Sequence, residues 1–371
     1  MPRTLSAKPP TDGSTVQASL HAIYNWNYGS EIDELRNLYA KGLDLQWIAM
    51  RELPWEAGID REAFARTFTL GGMPIQQTSF WGTLPEETRW DVARRGAAFT
   101  LSQFLHGEQG ALMVASQLVN AVPHMDGKFY AATQTMDEAR HVEVFATYID
   151  LLDQVHPIAP SLKTLLDRTL AVDDWTMKCV GMQIVVEGLA LYTFRDMRVT
   201  TEEPLLKQLL TYVSQDEARH TAYGIKYLGA VVPSLAPREV AELEDFAFEA
   251  ARMLLDSRRG QTLNDAFTAM LRDSGLDPAE VGKALAADSD KIQAAIAKRG
   301  GRIGPVSGFV IPTLRKIGLF SDRLSGHFRE MFDAMHIRIP GSTQGQAGAN
   351  PLDHLVALPE DLEAWVLAEA G

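Results

Sequence analysis

Apolar residues recur at intervals of three or four along most of the chain, the spacing of amphipathic helices. The longest runs lie in the middle and are separated by short, proline-containing segments. The first run begins near Pro85 and stops at Pro123, and the others fill 125–155, 161–199 and 204–232. Proline suits the first turn of a helix but breaks its interior. The pattern therefore predicts four long helices with short connections.

Shorter periodic segments flank these four runs on both sides. They lie at 31–50, 237–275, 278–298, 311–317, 322–334 and 360–370. A half-buried strand is marked by alternating apolar and polar residues, and no segment of the sequence shows a clear alternation of this kind. The prediction is an all-α protein rather than an α/β architecture.

The two ends of the chain differ in composition from its middle. Residues 1–20 are rich in proline, serine and threonine and predict a disordered tail. Residues 337–371 predict a flexible linker followed by a short tail helix. Residues 21–336 are then expected to form a single all-helical domain, with its core bundle at about 85–232.

Composition and charge narrow the class of protein. The chain has 371 residues, 46% of them hydrophobic, which is enough to fill a sizeable core. Its net charge of -13 argues against nucleic acid and against a basic membrane-binding patch as partners. A single cysteine, Cys179, excludes an internal disulfide. Since neither a signal peptide nor a membrane span is recognisable, we expect a cytoplasmic location and no contact with a membrane.

The pentapeptide Asp-Glu-Ala-Arg-His occurs twice, at 137–141 and 216–220. On a helix, residues three apart lie side by side, so the glutamate and histidine of each motif aim at one point. Such a pair is half of a metal site. One Glu-x-x-His arises easily by chance, but its repetition within a longer motif is stronger evidence.

Two upstream glutamates repeat the same spacing. Glu108 precedes Glu138 by 30 residues, and Glu187 precedes Glu217 by 30 residues. Both lie mid-helix among apolar neighbours, where an ionised carboxylate is costly unless it is paired or bound to a cation. Two packed helical hairpins would bring four carboxylates and two imidazoles together. The six candidate metal ligands are Glu108, Glu138, His141, Glu187, Glu217 and His220.

This pattern resembles the ligand set of the ferritin-like di-iron carboxylate proteins. The doubled motif is most like the oxygenase subunits of bacterial multicomponent monooxygenases. It is also similar to the arylamine N-oxygenases and to the radical-generating subunit of ribonucleotide reductase. The resemblance covers about residues 103–223. It implies a ferritin-like four-helix bundle that holds two iron ions, with manganese or a mixed pair able to use the same ligands.

Charged residues beside the ligands have expected supporting roles. Asp137 and Asp216 stand one turn before the candidate histidines and are placed to accept an imidazole N–H, from their own histidine or across the bundle. Arg140 and Arg219 are expected to pair with these aspartates. All four would then hold the ligands in place.

The resemblance implies an enzyme that activates dioxygen to oxidise a small organic substrate, by hydroxylation, N-oxygenation or a related reaction. The expected pocket residues are Phe104, Gly107, Ala111, Leu191 and Phe194. Because the sequence carries no flavin, nicotinamide or iron–sulfur motif, an external electron donor is expected, either a ferredoxin or a flavin reductase. The exposed faces of the additional helices make a homodimer plausible.

Three positions depart from the related families. Multicomponent monooxygenases typically have threonine where this chain has Leu191, and arylamine N-oxygenases have a further histidine where it has Val213. The ribonucleotide reductase subunit normally carries its tyrosine at the position of Phe145. A radical or redox subunit of that type, and a ferroxidase or iron-storage protein, stay open as alternatives.

Overall fold

The computed structural model describes residues 15–18, 21–67, 73–256, 261–298 and 304–335, together with 352, 355, 358 and 360–370. Within these ranges every regular element is helical, which confirms the all-α prediction. Most of the predicted 1–20 tail, and most of the predicted 337–371 segment that precedes its tail helix, lies outside the described residues. The expectation of a single domain over 21–336 stays a prediction.

Helices follow one another through the described residues. In order they are α1 (Asp33–Asp44), α2 (Ala49–Glu52), α3 (Arg61–Thr67), α4 (Ser79–Thr83), α5 (Glu86–Ala121), α6 (Met125–Leu152), α7 (Pro160–Ala171), α8 (Trp175–Cys179), α9 (Glu187–Thr200), α10 (Pro204–Val231), α11 (Pro237–Asp256), α12 (Gln261–Asp273), α13 (Pro278–Ala287), α14 (Ser289–Lys298), α15 (Ile311–Lys316), α16 (Asp322–Ala334) and α17 (Glu360–Ala370). Three short 3₁₀ turns lie at Trp55–Ala57, Pro74–Gln77 and Val232–Ser234, and two π-helical segments at Val180–Val186 and Val306–Val310.

Four long helical segments form the central bundle. These are α5, α6, α10 and the continuous segment made of α8, the first π-helical segment and α9. Prolines define several of their ends: Pro85 precedes α5 and Pro204 occupies the first turn of α10. The side chain of Glu203 caps α10 by accepting from the backbone N–H of Leu206 at 2.7 Å. The predicted bounds of α5, α6 and α10 agree with the structure to within a few residues.

The predicted helix at 161–199 is wrong, because the chain breaks between α7 and α8. Val172 adopts an extended backbone conformation. The side chain of Asp174 then accepts hydrogen bonds from the backbone N–H groups of Thr176 and Met177, and so starts a new helix.

The continuous segment Trp175–Thr200 is apolar enough by composition to cross a membrane, with a hydropathy of 1.2 over its most apolar window. However, 83% of that window is buried inside the bundle, as in a core helix. Its π-helical part, Val180–Val186, ends directly before Glu187. π-Helical turns inside α-helices are frequent at functional sites.

The remaining helices cover the bundle. α1 packs on α6 and α10, α17 packs on α10, and α11 covers the π-helical segment Val180–Val186. Two large apolar clusters fill the interior, one of which includes Leu191 and Tyr223 and the other Phe145 and Phe194.

Candidate metal centre

The six predicted ligands converge on one place in the bundle. α5 contributes Glu108, and α9 begins with Glu187. α6 and α10 each contribute a glutamate and a histidine. All six side chains are buried, with exposed fractions between 0% and 4%. Their role as metal ligands stays a prediction, for which the geometry supplies the following support.

The six residues form two overlapping groups. Ligand atoms of Glu108, Glu138, His141 and Glu217 all lie within 4.8 Å of one another. The same holds for Glu138, His220 and Glu187. Each group has the size and composition of a site for one metal ion, and the shared glutamate joins the two sites.

Two glutamates lie between the two imidazoles. Glu138 places one oxygen 3.4 Å from Nδ1 of His141 and the other 3.1 Å from Nδ1 of His220. Glu217 likewise places one oxygen 3.0 Å from Nδ1 of His141 and the other 3.3 Å from Nδ1 of His220. Carboxylates in this arrangement can bridge two metal ions. Glu108 places an oxygen 3.3 Å from Nδ1 of His141, and Glu187 places one 3.8 Å from Nδ1 of His220. Each of these glutamates thus lies beside one imidazole only, as a terminal ligand would.

The second nitrogen of each imidazole faces an aspartate on the opposite helix. Nε2 of His141 lies 3.1 Å from Asp216, and Nε2 of His220 lies 3.4 Å from Asp137. An aspartate in this position holds the proton on Nε2, so Nδ1 presents its lone pair to the glutamates. Of the two arrangements predicted from the sequence, the structure has the one across the bundle.

The arginines of the two motifs link these aspartates. Arg140 donates to Asp137, and it also donates to Asp216 at 2.9 Å. Arg219 donates to Asp216. All four residues are buried, with exposed fractions between 1% and 7%. The two cations therefore offset the charge of the two aspartates, and the charge of the four glutamates is left for another partner.

The electrostatics of the glutamates indicate such a partner. Burial raises the pKa of Glu108 and of Glu187 well above the ordinary value, and neighbouring carboxylates act in the same direction. Burial alone would lower the pKa of His141 and His220, but the surrounding carboxylates hold both pKa values well above the ordinary value. The cluster thus attracts protons, and divalent metal ions can replace protons at such a site.

Two buried oxygen atoms fit the same conclusion. Among the described residues, Glu138 Oε2 and Glu217 Oε1 have no hydrogen-bond donor. Both lie near Nδ1 of His141, which carries a lone pair in the neutral imidazole that keeps its proton on Nε2, the form that binds a metal ion. Two oxygens and a nitrogen lone pair that face one another are unfavourable without a cation. The residues present therefore fit a pair of metal ions.

Sequence reasoning missed two residues that lie just after α1. Trp47 donates from Nε1 to Asp216 at 2.8 Å, and its ring lies 4.7 Å beneath the Arg140 guanidinium. Gln46 donates to Asp137 at 2.9 Å and accepts from Arg140 at 2.9 Å. They come from a distant part of the chain, and no spacing in the sequence connects them to the motifs.

Two buried glutamines were also missed. Gln134 donates to Glu138 at 3.0 Å, to Glu187 at 3.1 Å and to Gln183 at 3.2 Å. A signal for them exists, because each glutamine stands four residues before a ligand glutamate, on the same face of its helix. A polar residue at that position in an apolar stretch marks a contact with the ligand.

The predicted pocket residues divide into two sets. The ring centroids of Phe104 and Phe194 lie 4.7 Å apart, and Phe145 lies 5.4 Å from Phe194. This aromatic cluster (Phe104, Phe145, Phe194) joins α5, α6 and α9, and Phe104 is its half-buried member. Ala111 and Leu191 belong instead to the other apolar cluster. Gly107 is half-buried, with open space around the position of a Cβ.

The positions that depart from related families are apolar and buried. Val213 and Phe145 are 0% exposed within the same apolar cluster. Val213 therefore supplies no further nitrogen ligand one turn before Glu217. Within the described part of the chain, the candidate donors to the metals are the six predicted residues.

Several solved structures of an R2-like ligand-binding oxidase are similar to this chain. A variant with an anaerobically reconstituted Mn/Fe cofactor is 17% identical, covers 77% of this chain and 93% of its own, and gives a TM-score of 0.43. A variant with an aerobically reconstituted Fe/Fe cofactor is 16% identical to this chain. The match covers 80% of this chain and 99% of the variant, with a TM-score of 0.42. Similarity at this level says nothing about metal or substrate.

The chain has no significant match among proteins of curated function. A family is nevertheless evident. The model of the p-aminobenzoate N-oxygenase AurF matches residues 32–298, a range that begins just before α1, ends with α14 and includes all six candidate ligands. The chain therefore belongs to the p-aminobenzoate N-oxygenase AurF family.

Proposed function

We propose that the protein is a di-iron N-oxygenase that uses dioxygen to oxidise the amino group of a small arylamine. Family membership supports the oxygenase class and an aromatic amine as substrate. The observation that carries the proposal is that Glu138 and Glu217 each present one oxygen to each of the two imidazoles.

The six ligands would hold two metal ions in this proposal. Glu108 and His141 would bind one ion, Glu187 and His220 the other, and the two remaining glutamates would bridge them. Mixed carboxylate and imidazole ligands suit iron, and manganese can use the same set. When bound, the metal pair supplies the redox chemistry that activates dioxygen.

The protein's own residues position the reactants and keep water away. Asp137 and Asp216 fix the orientation of the imidazoles. The aromatic cluster lies beside the ligands, since Phe104 is one turn before Glu108 and Phe145 one turn after His141. Offset stacking on such a ring contributes about 0.5–1.5 kcal/mol beyond burial of the ring. We place the arylamine ring against the half-buried Phe104.

An external donor has to supply electrons under this proposal, and a ferredoxin or a flavin reductase is the expected class. The radical-subunit alternative is disfavoured because Phe145 stands where that subunit normally carries its tyrosine. A ferroxidase or storage role would not require an aromatic cluster beside the metals. Both alternatives predict no oxygen transfer to an amine.

The test combines metal content with product analysis. Protein loaded anaerobically with ferrous iron should hold about two irons per chain. With a chemical reductant, labelled dioxygen and p-aminobenzoate, we expect product that carries labelled oxygen on nitrogen, detected by mass spectrometry. Glu138→Ala should lose both metal and product. Glu143→Ala, which alters an exposed glutamate on the same helix, should keep both.

The outcomes separate the candidate functions. Iron binding with oxygen consumption but no oxidised amine would leave a ferroxidase. A long-lived tyrosyl radical with no oxidised amine would indicate the radical subunit. Failure of the wild-type protein to bind any metal would refute the proposed centre altogether.

A further inference from the structure

A row of aromatic rings runs from the metal centre towards the surface. The ring centroids of Tyr130 and Tyr223 lie 4.7 Å apart, those of Tyr223 and Tyr227 5.6 Å, and those of Tyr227 and Trp175 4.7 Å. His124 lies beside the third tyrosine, at 5.7 Å between ring centroids. Each ring is thus in contact with the next.

The inner end of the row lies next to the candidate ligands. Tyr223 stands three residues after His220 on α10, a rise of about 4.5 Å along the helix. Tyr130 stands four residues before Gln134, and the amide of Gln134 donates to Glu138 at 3.0 Å. Both tyrosines are almost fully buried, with exposed fractions of 0% and 1%.

The outer end of the row is accessible. Trp175 and His124 are half-buried, whereas Tyr227 between them is 0% exposed. Tyr227 fits against the first turn of α6 because Gly127 stands there. A Cβ at Gly127 would lie only 2.7 Å from the Tyr227 ring. The fold thus makes room for this phenol beside His124.

The three phenols differ in their hydrogen-bond partners. Tyr227 Oη lies 3.0 Å from Nδ1 of His124, and in the neutral tautomer that carries its proton on Nε2 this nitrogen accepts from the phenol and is a base. Tyr223 donates to the carbonyl of Gly127 at 3.2 Å, which cannot take up a proton. Tyr130 Oη has no partner among the described residues. Since a phenol loses its proton when it is oxidised, Tyr227 is the tyrosine equipped for reversible oxidation.

We propose that Tyr130, Tyr223, Tyr227 and Trp175 form an electron-transfer route between the metal pair and the protein surface. The inference rests on the proposed function, because it requires a redox-active metal pair. In one step, Tyr227 gives one electron to the oxidised metal pair through the two inner rings, and its phenolic proton passes to Nδ1 of His124. A one-electron donor outside the protein, such as a reduced ferredoxin, then returns the electron through Trp175. His124 returns the proton, and tyrosine is restored.

The route predicts a radical at a defined residue. Iron-loaded, reduced protein is mixed with dioxygen in the absence of arylamine, frozen at millisecond intervals and measured by electron paramagnetic resonance. We expect a transient neutral tyrosyl radical in the wild type, with line shape altered by deuterated tyrosine. Tyr227→Phe should abolish this signal, and His124→Asn should reduce it, because the proton then lacks its acceptor.

A matched control is available in the other apolar cluster. Tyr148 is also 0% exposed and donates to the carboxylate of Glu203 at 2.9 Å, so it too has a proton acceptor. Tyr148→Phe should leave the radical unchanged. Iron content and the urea midpoint of each variant are measured alongside, which separates loss of the route from loss of the fold.

A radical assigned to Tyr148 or Trp47, or a signal that persists in Tyr227→Phe, would overturn the route while the oxygenase proposal stands. The same holds if iron-loaded protein consumes dioxygen and forms no radical. Absence of bound iron in the wild type would instead overturn the oxygenase proposal and the route together. If Tyr227→Phe does not fold, His124→Asn carries the test, since this half-buried side chain is the proton acceptor.

Discussion

Asp216 lies 3.1 Å from Nε2 of His141 on the neighbouring helix, not against His220 four residues further along its own helix. Asp137 makes the reciprocal contact with His220 at 3.4 Å. Each Asp-Glu-Ala-Arg-His motif therefore orients the histidine of the other. Neither half of the centre is complete by itself, which is a physical reason why the motif occurs twice.

Asp216→Asn should weaken metal binding at the half of the site that contains His141. The amide removes the negative charge that holds the proton on Nε2, and it can present an N–H where an acceptor is needed. Loss of such a partner typically costs about 10–100-fold in metal affinity. Equilibrium titration of metal-free protein with ferrous or manganous ion measures the change.

The matched control for that variant is Asp150→Asn, because Asp150 is exposed near the end of α6. Its metal affinity should equal that of the wild type. Equal affinities for both variants would show that Asp216 does not support the ligand.

Arg140→Met should lower the free energy of unfolding of the metal-free protein by about 3–5 kcal/mol, because it leaves buried aspartates without one of their cations. Arg140 donates to Asp137, Asp216 and Gln46 and is 7% exposed. Methionine keeps much of the volume, so the loss reports on charge and hydrogen bonds. Urea unfolding followed by circular dichroism measures it.

Arg51→Met provides the comparison, because Arg51 is 69% exposed and pairs only with the neighbouring Glu52 among the described residues. Its free energy of unfolding should stay within about 0.5 kcal/mol of the wild type. A similarly small loss for Arg140→Met would mean that solvent or relaxation compensates the aspartates.

Much of the fold could be predicted because prolines and apolar periodicity act locally. The bounds of α5, α6 and α10 follow from such signals, and the Glu-x-x-His spacing selects side chains on one helical face. The family match confirms the predicted oxygenase class and favours the arylamine N-oxygenases among the resemblances. The family that matches is not the bacterial multicomponent monooxygenases, although the doubled motif most resembles theirs.

Other features depend on contacts that the sequence does not display. The π-helical segment Val180–Val186 has an apolar sequence, VGMQIVV, whose composition does not distinguish it from an ordinary buried α-helix. The break between α7 and α8 depends on one capping aspartate. Gln46 and Trp47 reach the centre from far along the chain. Of the predicted pocket residues, Ala111 and Leu191 belong to the apolar cluster that includes Tyr223.

Gly188→Ala should disturb the helix beside Glu187. A Cβ at this position would lie 2.3 Å from ring carbons of Phe309, and that ring is 0% exposed. We expect a loss of about 1–3 kcal/mol in the free energy of unfolding, the usual cost of overpacking. Metal affinity should fall as well, because Glu187 directly precedes the glycine.

Relief by a second substitution identifies the cause. Phe309→Leu removes the ring, so the double variant should recover part of the stability that Gly188→Ala loses. Gly229→Ala is the control, since its Cβ would meet nothing within 4 Å and alanine favours the helix. If the two glycine variants are equally stable, the close approach of Phe309 does not constrain this helix.

Lys178 should make stability depend on pH in the alkaline range. The side chain is 0% exposed and donates to Gln117 at 2.7 Å and to the carbonyl of Leu170 at 2.8 Å, near the end of α7. Burial lowers its pKa from 10.5 to about 8, against the opposing effect of Asp173. The unfolded chain therefore binds more protons than the folded protein between these two values.

The sign follows from that difference in bound protons. As pH rises from about 8 to 10.5, the contribution of Lys178 to the free energy of unfolding increases, by at most about 3 kcal/mol. Tyrosines of the unfolded chain also lose protons near the upper limit. The quantity to measure is therefore the difference in the free energy of unfolding between the wild type and Lys178→Met, from urea unfolding at several pH values. This difference should grow in favour of the wild type as the pH rises. The control is Lys163→Met, at a more exposed lysine, for which the difference from the wild type in the free energy of unfolding should stay nearly constant. A constant difference for Lys178→Met would mean that the buried ammonium keeps an ordinary pKa, because its three acceptors, Gln117 and the carbonyls of Thr169 and Leu170, compensate the loss of water.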